Sequence, residues 1–159
     1  MSIEAVKQYF KAYHMEDRVM EFEVSSATVE LAAQALHCEP ARIAKTLSFS
    51  VKGEPILIVA AGDAKIDNAK YKAQFDAKAK MLSPEEAVTL IGHAVGGVCP
   101  FAIREGVRVY LDLSLKRFAT VFPACGSASS AIELTIEELE TYAKADGWIN
   151  VCKGWAAEA

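Results

Sequence analysis

The sequence predicts a mixed α/β fold for one domain spanning residues 1–159. Helical periodicity and strand-like alternation succeed each other along the chain, and no repeat, low-complexity tract or linker divides it. At 159 residues, with 52% apolar and 24% charged residues, the chain is long enough to bury a core without metals or disulfides. We therefore expect helices and short strands to share one hydrophobic core.

The first forty residues predict two helices separated by a strand. An amphipathic helix at the N-terminus places apolar residues near one face, namely Ile3, Val6, Phe10 and Tyr13. Residues 19–24 alternate apolar and acidic side chains, which is typical of a half-buried strand. Residues 28–38 carry apolar residues at helical spacing, and Ser26 or Thr28 can cap that helix. Pro40 suits the first position of a short helical turn.

The middle of the chain predicts a hairpin followed by two helices. Residues 46–51 and 55–62 are strand-like and three residues apart. The second of these runs is apolar on both faces, which indicates a central strand. A lysine-containing helix is expected within residues 65–80. Residues 83–92 form the clearest helix, because a capping box and a glycine stop bracket it: Ser83, Glu86 and Gly92.

The last third predicts short strands and one more helix. Residues 107–115 alternate, and residues 118–122 and 131–136 are strand-like on either side of a small-residue loop. Residues 135–147 carry a second capping box and a final glycine stop, formed by Thr135, Glu138 and Gly147. The tail, residues 148–155, suits an edge strand.

Charge, hydropathy and cysteine spacing exclude several functional classes. A net charge of −4 argues against a general nucleic-acid coat, although a local basic surface can still contact a few phosphates. No apolar run approaches the roughly 18 residues that span a bilayer, and no export signal is visible, so we expect a cytoplasmic protein without a membrane partner. The four cysteines form no C-x-x-C pair, which argues against a zinc site and a thioredoxin-like motif: Cys38, Cys99, Cys125 and Cys152. Without an export signal we expect reduced thiols, and we expect no metal and no cofactor.

The clearest basic segment is residues 65–80. It contains Lys65, Lys70, Lys72, Lys78 and Lys80 against two aspartates. Such a run is either a solvated helix face or a surface for phosphates, and the sequence leaves both interpretations open.

No standard catalytic motif is present. The chain lacks G-x-S-x-G, a Walker loop, G-x-G-x-x-G and H-E-x-x-H. His93 is a candidate general base because it stands beside a glycine loop. Cys99 and Cys125 are candidate nucleophiles, although no basic neighbour in the sequence lowers the pKa of either thiol.

The glycine loop "GGVCP" is the first of three weaker candidate features. Gly96 and Gly97 can adopt positive φ, and Pro100 favours an extended Cys99. Such a loop either points N–H groups into a cavity, where they hold a carbonyl oxygen or oxyanion, or forms a plain tight connection.

The other two features are Lys45 and the small-residue segment 124–131. Lys45 has apolar neighbours, so it either extends its ammonium into water or positions it as a point charge for a substrate oxygen. The small side chains of 124–131 either line a narrow pocket or form a solvated turn.

Five segments in order resemble the YbaK/EbsC family of aminoacyl-tRNA deacylases: "SSATVELAAQALHCEPARIAKTLSF", "ILIVAAGDAKID", "GGVCPFAI", "VYLDLSL" and "ACGSASSAIEL". The resemblance covers residues 19–145. The family is related to the editing insertion of bacterial prolyl-tRNA synthetases. It implies a single mixed α/β domain whose sheet is strongly curved, or a partial barrel, with helices packed outside.

The resemblance also implies a function and a site. The function is hydrolysis of the ester between a small wrong amino acid, such as cysteine or alanine, and tRNA for proline, with prolyl-tRNA synthetase as a candidate partner. Lys45 matches the family lysine and is the implied catalytic residue. The implied substrate-binding residues are Thr46, Gly96, Gly97, Val98, Cys99, Pro100, Gly126 and Ser127.

Two other functions stay open on the sequence. One is a non-catalytic module that binds aminoacyl-tRNA 3′ ends or nucleotides, or serves a synthetase as partner. The other is a thiol-dependent redox protein.

Overall fold

The structure is a computed structural model that describes residues 2–23 and 28–155. Its α-helices are α1 (Ser2–Lys11), α2 (Val29–Leu36), α3 (Asn68–Phe75), α4 (Pro84–Glu86) and α5 (Ile136–Tyr142). Its strands are β1 (Met20–Glu21), β2 (Ile43–Val51), β3 (Glu54–Ala61), β4 (Lys65–Ile66), β5 (Arg108–Asp112), β6 (Thr120–Pro123), β7 (Ser130–Ala131), β8 (Leu134–Thr135), β9 (Gly147–Ile149) and β10 (Cys152–Lys153).

Six strands form the main sheet in the order β8–β6–β2–β3–β5–β9. The sheet is mixed, because β2 pairs antiparallel with β3 but parallel with β6, and β5 pairs parallel with both β3 and β9. It curls into a half-barrel, which confirms the predicted mixed α/β fold with a curved sheet. Two small ribbons, β1–β7 and β4–β10, complete the strand pairing of the described residues.

The predicted hairpin is confirmed. Lys52 and Gly53 connect β2 to β3, with φ of 51° and 86°. Positive φ at both central residues is the requirement of the type I′ turn, whose twist matches that of the flanking strands.

Strand β2 begins three residues earlier than the sequence predicts. Ile43 and Ala44 pair in parallel with Phe122 and Pro123 of β6, and this distant partner extends the strand. Lys45 therefore lies inside a strand.

The core is centred on β3, as its two-sided apolar pattern predicts. Residues 57–61 are fully buried, and Val6 and Phe10 of α1 pack into the same cluster. Burial of a side chain such as Phe10 stabilises the fold by about 1.5–3 kcal/mol. Tyr13 lies beyond the end of α1 and is 43% exposed.

The predicted helix starts are confirmed where the structure describes them. Both capping boxes form, at Ser83 with Glu86 and at Thr135 with Glu138. Thr28 caps α2 by accepting a hydrogen bond from the Leu31 N–H, while the other candidate cap, Ser26, lies outside the described residues. Helix α4 continues as a π-helical segment, Ala87–Ile91, which ends at Gly92 with φ of 104°.

Several predicted strands are shorter than expected. Of residues 19–24, only Met20 and Glu21 form a strand, and residue 24 lies outside the described residues. Residues 107–115 are a strand only as far as Asp112, because its carboxylate accepts a hydrogen bond from the Ser114 N–H and starts a 3₁₀ turn. Residues 131–136 hold parts of two separate short strands, β7 and β8.

The lysine-containing helix forms within residues 65–80 as predicted, as Asn68–Phe75 with Asp67 as its cap, and Lys65 lies in β4. One detail of the last predicted helix is wrong. Gly147 does not end α5: Lys144 adopts the left-handed conformation after that helix, and Gly147 begins the edge strand β9. None of the described helices has the length and apolar character needed to cross a bilayer.

Candidate functional site

A cavity of about 320 Å³ lies between α2, β2 and the glycine loop. This volume is at the small end of the range for ligand pockets, roughly 300–1,000 Å³. Most lining side chains are apolar, including Val29, Ala32, Leu36 and Phe122. The polar residues of the lining are Thr28, Lys45, Thr46, Ser48 and Ser130.

Thr46 contributes a buried hydroxyl to this cavity. Its Oγ1 atom is buried, and no described residue hydrogen-bonds it. The Thr46 main chain is fixed in the β2–β3 ladder opposite Val59. Because an unsatisfied buried hydroxyl costs about 1–3 kcal/mol, a ligand that bonds this group gains binding energy there.

Lys45 is half-buried, and its ammonium is held beside the cavity. Lys45 Nζ donates a hydrogen bond to the carbonyl oxygen of Ala64. Burial is the main reason that the pKa of Lys45 lies below its usual value; Cys152 and Asp63 oppose this shift, and Lys65 adds to it. An ammonium has three donors, so one bond to Ala64 leaves others for a ligand.

The glycine loop contributes only part of its length to the cavity. Gly96, with φ of 95°, and Val98 line it, whereas Gly97, Cys99 and Pro100 do not. Gly97 does not adopt positive φ, contrary to expectation, and its N–H donates to the Ala94 carbonyl oxygen at 3.0 Å. The Gly97 amide is therefore not free to hold a substrate oxygen.

The close approach of two loops explains why position 97 is a glycine. A Cβ atom at this position would lie 2.6 Å from Ser127 N and 2.7 Å from Gly126 C. The structure thus brings the glycine loop together with the Gly126–Ser127 turn, although neither Gly126 nor Ser127 lines the cavity. Ser127 Oγ instead donates to Ser130 Oγ at 2.9 Å, and Ser130 does line it.

His93 and the nearby thiols are buried away from the cavity lining. His93 Nε2 donates to the Phe101 carbonyl oxygen at 2.8 Å and lies 3.5 Å from Cys99 Sγ. Burial lowers the pKa of His93, raises that of Cys99 to about 12, and raises that of Cys125 well above its usual value. Thiols with such pKa values are protonated at neutral pH and are poor nucleophiles.

The sequence did not predict that α2 forms one side of the cavity. Ala32 and Leu36 belong to the apolar face of α2, and a core-facing position has the same periodicity as a cavity-facing one. It also missed the apolar rim formed by Met81 and Val95, which line the cavity and are 56% and 65% exposed.

Residues 23–142 match the family model of the aminoacyl-tRNA editing domain. The chain belongs to this family. The resemblance to YbaK-type proteins is thereby confirmed. This editing domain is 55% identical over 156 residues to the uncharacterized protein YwhH of Bacillus subtilis (strain 168), covering 98% of this chain and 99% of that one.

Two further relatives connect the editing domain to prolyl-tRNA synthetase. The proline–tRNA ligase of Lysinibacillus sphaericus (strain C3-41) is 33% identical over 90 residues, which are 56% of this chain and 16% of the ligase. A crystal structure described as a candidate trans-editing enzyme for prolyl-tRNA synthetase superposes with a TM-score of 0.86 at 27% identity, covering 96% of this chain and 98% of that one.

Proposed function

We propose that this protein is a trans-editing hydrolase that removes a small, wrongly attached amino acid, such as cysteine or alanine, from tRNA for proline. The observation that carries the proposal is the cavity lined by Lys45 and Thr46 of β2, in which no described residue hydrogen-bonds the Thr46 hydroxyl. The editing-domain family and the likeness to a candidate trans-editing enzyme support it. Prolyl-tRNA synthetase is the proposed partner that releases the mischarged tRNA.

The size of the cavity supports a preference for small amino acids. The volume of about 320 Å³ lies at the small end of the range for ligand pockets, and its aliphatic lining with Phe122 suits a short apolar side chain. Exclusion by clash is stronger than apolar discrimination, which is worth only about 1–3 kcal/mol per methylene.

The proposed mechanism relies on positioning and electrostatics. An aminoacyl ester is already activated, so water attacks its carbonyl carbon, the bond to the ribose oxygen breaks, and that oxygen leaves as a hydroxyl. Lys45 orients the ester or the adjoining nucleotide by its charge, and the Thr46 hydroxyl bonds a substrate oxygen. These roles require no nucleophilic triad.

A panel of tRNAs charged with alanine, cysteine, serine or proline tests the proposal. We expect catalytic release of alanine or cysteine from tRNA for proline, and retention of proline. Lys45→Ala is expected to abolish release, whereas Lys11→Ala, which removes an exposed charge at the end of α1, is expected to retain it. Binding of charged tRNA without turnover would instead identify a non-catalytic module and overturn the proposal.

A further inference from the structure

A pair of lysines stands opposite each other on the small β4–β10 ribbon. Lys65 of β4 and Lys153 of β10 are directly paired in antiparallel register, and both side chains are exposed. Like charges placed directly opposite destabilise a ladder. Among the described residues, neither lysine forms a salt bridge. The pair therefore forms a local concentration of exposed positive charge.

Two further ammonium groups converge on the same ribbon. Lys45 Nζ donates to the carbonyl oxygen of Ala64, the residue that precedes Lys65. Lys70 Nζ donates to the carbonyl oxygen of Cys152, the residue that precedes Lys153, at 2.9 Å. We call Lys45, Lys65, Lys70 and Lys153 the lysine ribbon.

The acidic groups near Lys65 and Lys153 are engaged elsewhere. Asp63 is engaged by Arg117, whose two terminal nitrogens donate to both carboxylate oxygens at 2.9 and 2.5 Å. Asp67 caps α3 by accepting a hydrogen bond from the Lys70 N–H at 3.0 Å; this bond is the main reason that the pKa of Asp67 is lowered, and the charges of Lys153 and Lys70 add to it. Lys65 and Lys153 thus keep exposed charges without a salt bridge among the described residues, on a protein whose net charge is −4.

The lysine ribbon is continuous with the cavity. Lys45 belongs to both, because it lines the cavity while its Nζ bonds to the main chain of the segment that leads into β4. Lys65 is close enough to Lys45 for its charge to contribute to the lowered pKa of Lys45, after the larger effect of burial.

We propose that the lysine ribbon binds the phosphate backbone of the tRNA acceptor end. Lysine is suited to this role, because it acts as a compact point charge that contacts phosphates without reading sequence. The inference rests on the proposed function. The tRNA would then reach the cavity from the side of the β4–β10 ribbon. Among the lysines of segment 65–80, Lys65 and Lys70 would contact its phosphates.

Binding of uncharged tRNA at a series of salt concentrations tests the lysine ribbon without using hydrolysis. Each phosphate contact contributes roughly 0.7–0.9 to the slope of log affinity against log salt. We expect the double variant Lys65→Gln/Lys153→Gln to lose roughly 1.4–1.8 from that slope and to bind about ten-fold more weakly or worse at low salt. Its melting temperature should not fall, because the variant removes a like-charge pair.

The matched control is Lys11→Gln/Lys144→Gln, which removes the same charge at the ends of α1 and α5. It should retain the wild-type affinity and slope. Equal losses in both double variants, or no loss in the ribbon variant, would overturn the assignment. Failure of the proposed function is a different result, in which the wild-type protein binds tRNA through the lysine ribbon but releases no amino acid from any charged tRNA.

Discussion

Two adjacent residues of β2 contribute different chemistry to the cavity. Lys45 carries a charge that is already bonded to a main-chain carbonyl, whereas Thr46 carries a neutral hydroxyl that has no protein partner among the described residues. Removal of a polar group normally costs stability when that group is satisfied and costs little when it is not. If Thr46 has a binding role, its substitution should therefore reduce activity without reducing stability. If its role is structural, the substitution should reduce stability.

Thr46→Val is expected to leave the free energy of unfolding unchanged or to raise it by about 1 kcal/mol, because it removes a buried hydroxyl that no described residue hydrogen-bonds. The same change should lower kcat/KM for deacylation about ten-fold, equivalent to about 1.4 kcal/mol of lost transition-state stabilisation. Urea unfolding and steady-state deacylation measure the two effects.

Thr120→Val is the matched control for that substitution. The Thr120 hydroxyl accepts a hydrogen bond from Arg42 and donates one to Glu133, so its loss should reduce stability and leave activity unchanged. A Thr46→Val protein that is less stable and fully active would contradict the assigned role.

The buried cysteines are expected to be chemically inert in the folded protein. Cys99 and Cys152 are fully buried, and burial raises the pKa of each thiol to about 12. Cys38 is only partly buried and should react first with iodoacetamide. Mass spectrometry of native and urea-unfolded protein tests this order. Rapid native labelling of Cys99 would revive the thiol-dependent alternative.

At the scale of elements, the site depends on contact between two loops. The glycine loop and the 126–127 turn approach so closely that a Cβ atom at Gly97 would meet main-chain atoms of the turn. Main-chain atoms cannot rotate away as a flexible side chain can, so the loops themselves must separate. The loop that carries Gly96 and Val98 into the cavity would move with them.

Gly97→Ala is therefore expected to lower both stability and activity. We expect a loss of about 1–3 kcal/mol in the free energy of unfolding, as overpacking typically causes, together with a larger KM. Gly147→Ala is the control, because a Cβ atom there meets nothing within 4 Å and the backbone has no positive φ. Equal stability of the Gly97→Ala and Gly147→Ala proteins would refute the contact.

Element types were predictable, but element ends were not. The capping boxes at Ser83 and Thr135 are local signals, and both form as predicted. The end of β5 depends on the Asp112 carboxylate, which bonds the Ser114 and Val151 N–H groups. The start of β2 depends on pairing with β6. Val151 and β6 are distant in sequence from these strand ends, so periodicity does not reveal them.

At the scale of the whole molecule, the fold depends on keeping His93 neutral and selected carboxylates charged. Burial lowers the pKa of His93, so the unfolded chain takes up a proton at a higher pH than the folded protein does. Hydrogen bonds from Arg117 and Arg18 lower the pKa of Asp63 and of Glu138, the latter to about 2. All three effects make the unfolded state the better proton acceptor, so stability falls as the pH falls.

The pH windows of these groups differ. The contribution of His93 is complete above about pH 6.5 and is lost as the pH falls toward its folded pKa, whereas the carboxylates act below about pH 4. Urea unfolding at about pH 7.5, 6 and 5 should show a steady loss of stability in the wild-type protein. A His93→Gln protein should show a smaller loss over the same interval. An identical pH dependence in both proteins would contradict the buried neutral imidazole.

The sequence by itself determined the class of fold, the capped helices and the family. These follow from periodicity, caps and short ordered motifs, all of which are local properties of the chain. Its candidate residues Lys45, Thr46, Gly96 and Val98 do line one cavity.

Only the tertiary structure decided how the remaining candidates are used. Gly97 and Cys99 belong to the same motif as Gly96, but they do not line the cavity. Gly97 lies against the 126–127 turn, and Cys99 is buried in the core. Whether a residue faces a cavity or a neighbouring segment depends on pairing and packing with distant parts of the chain. The local sequence does not identify those partners. For the same reason, only the β4–β10 pairing placed Lys65 opposite Lys153 and next to Lys45.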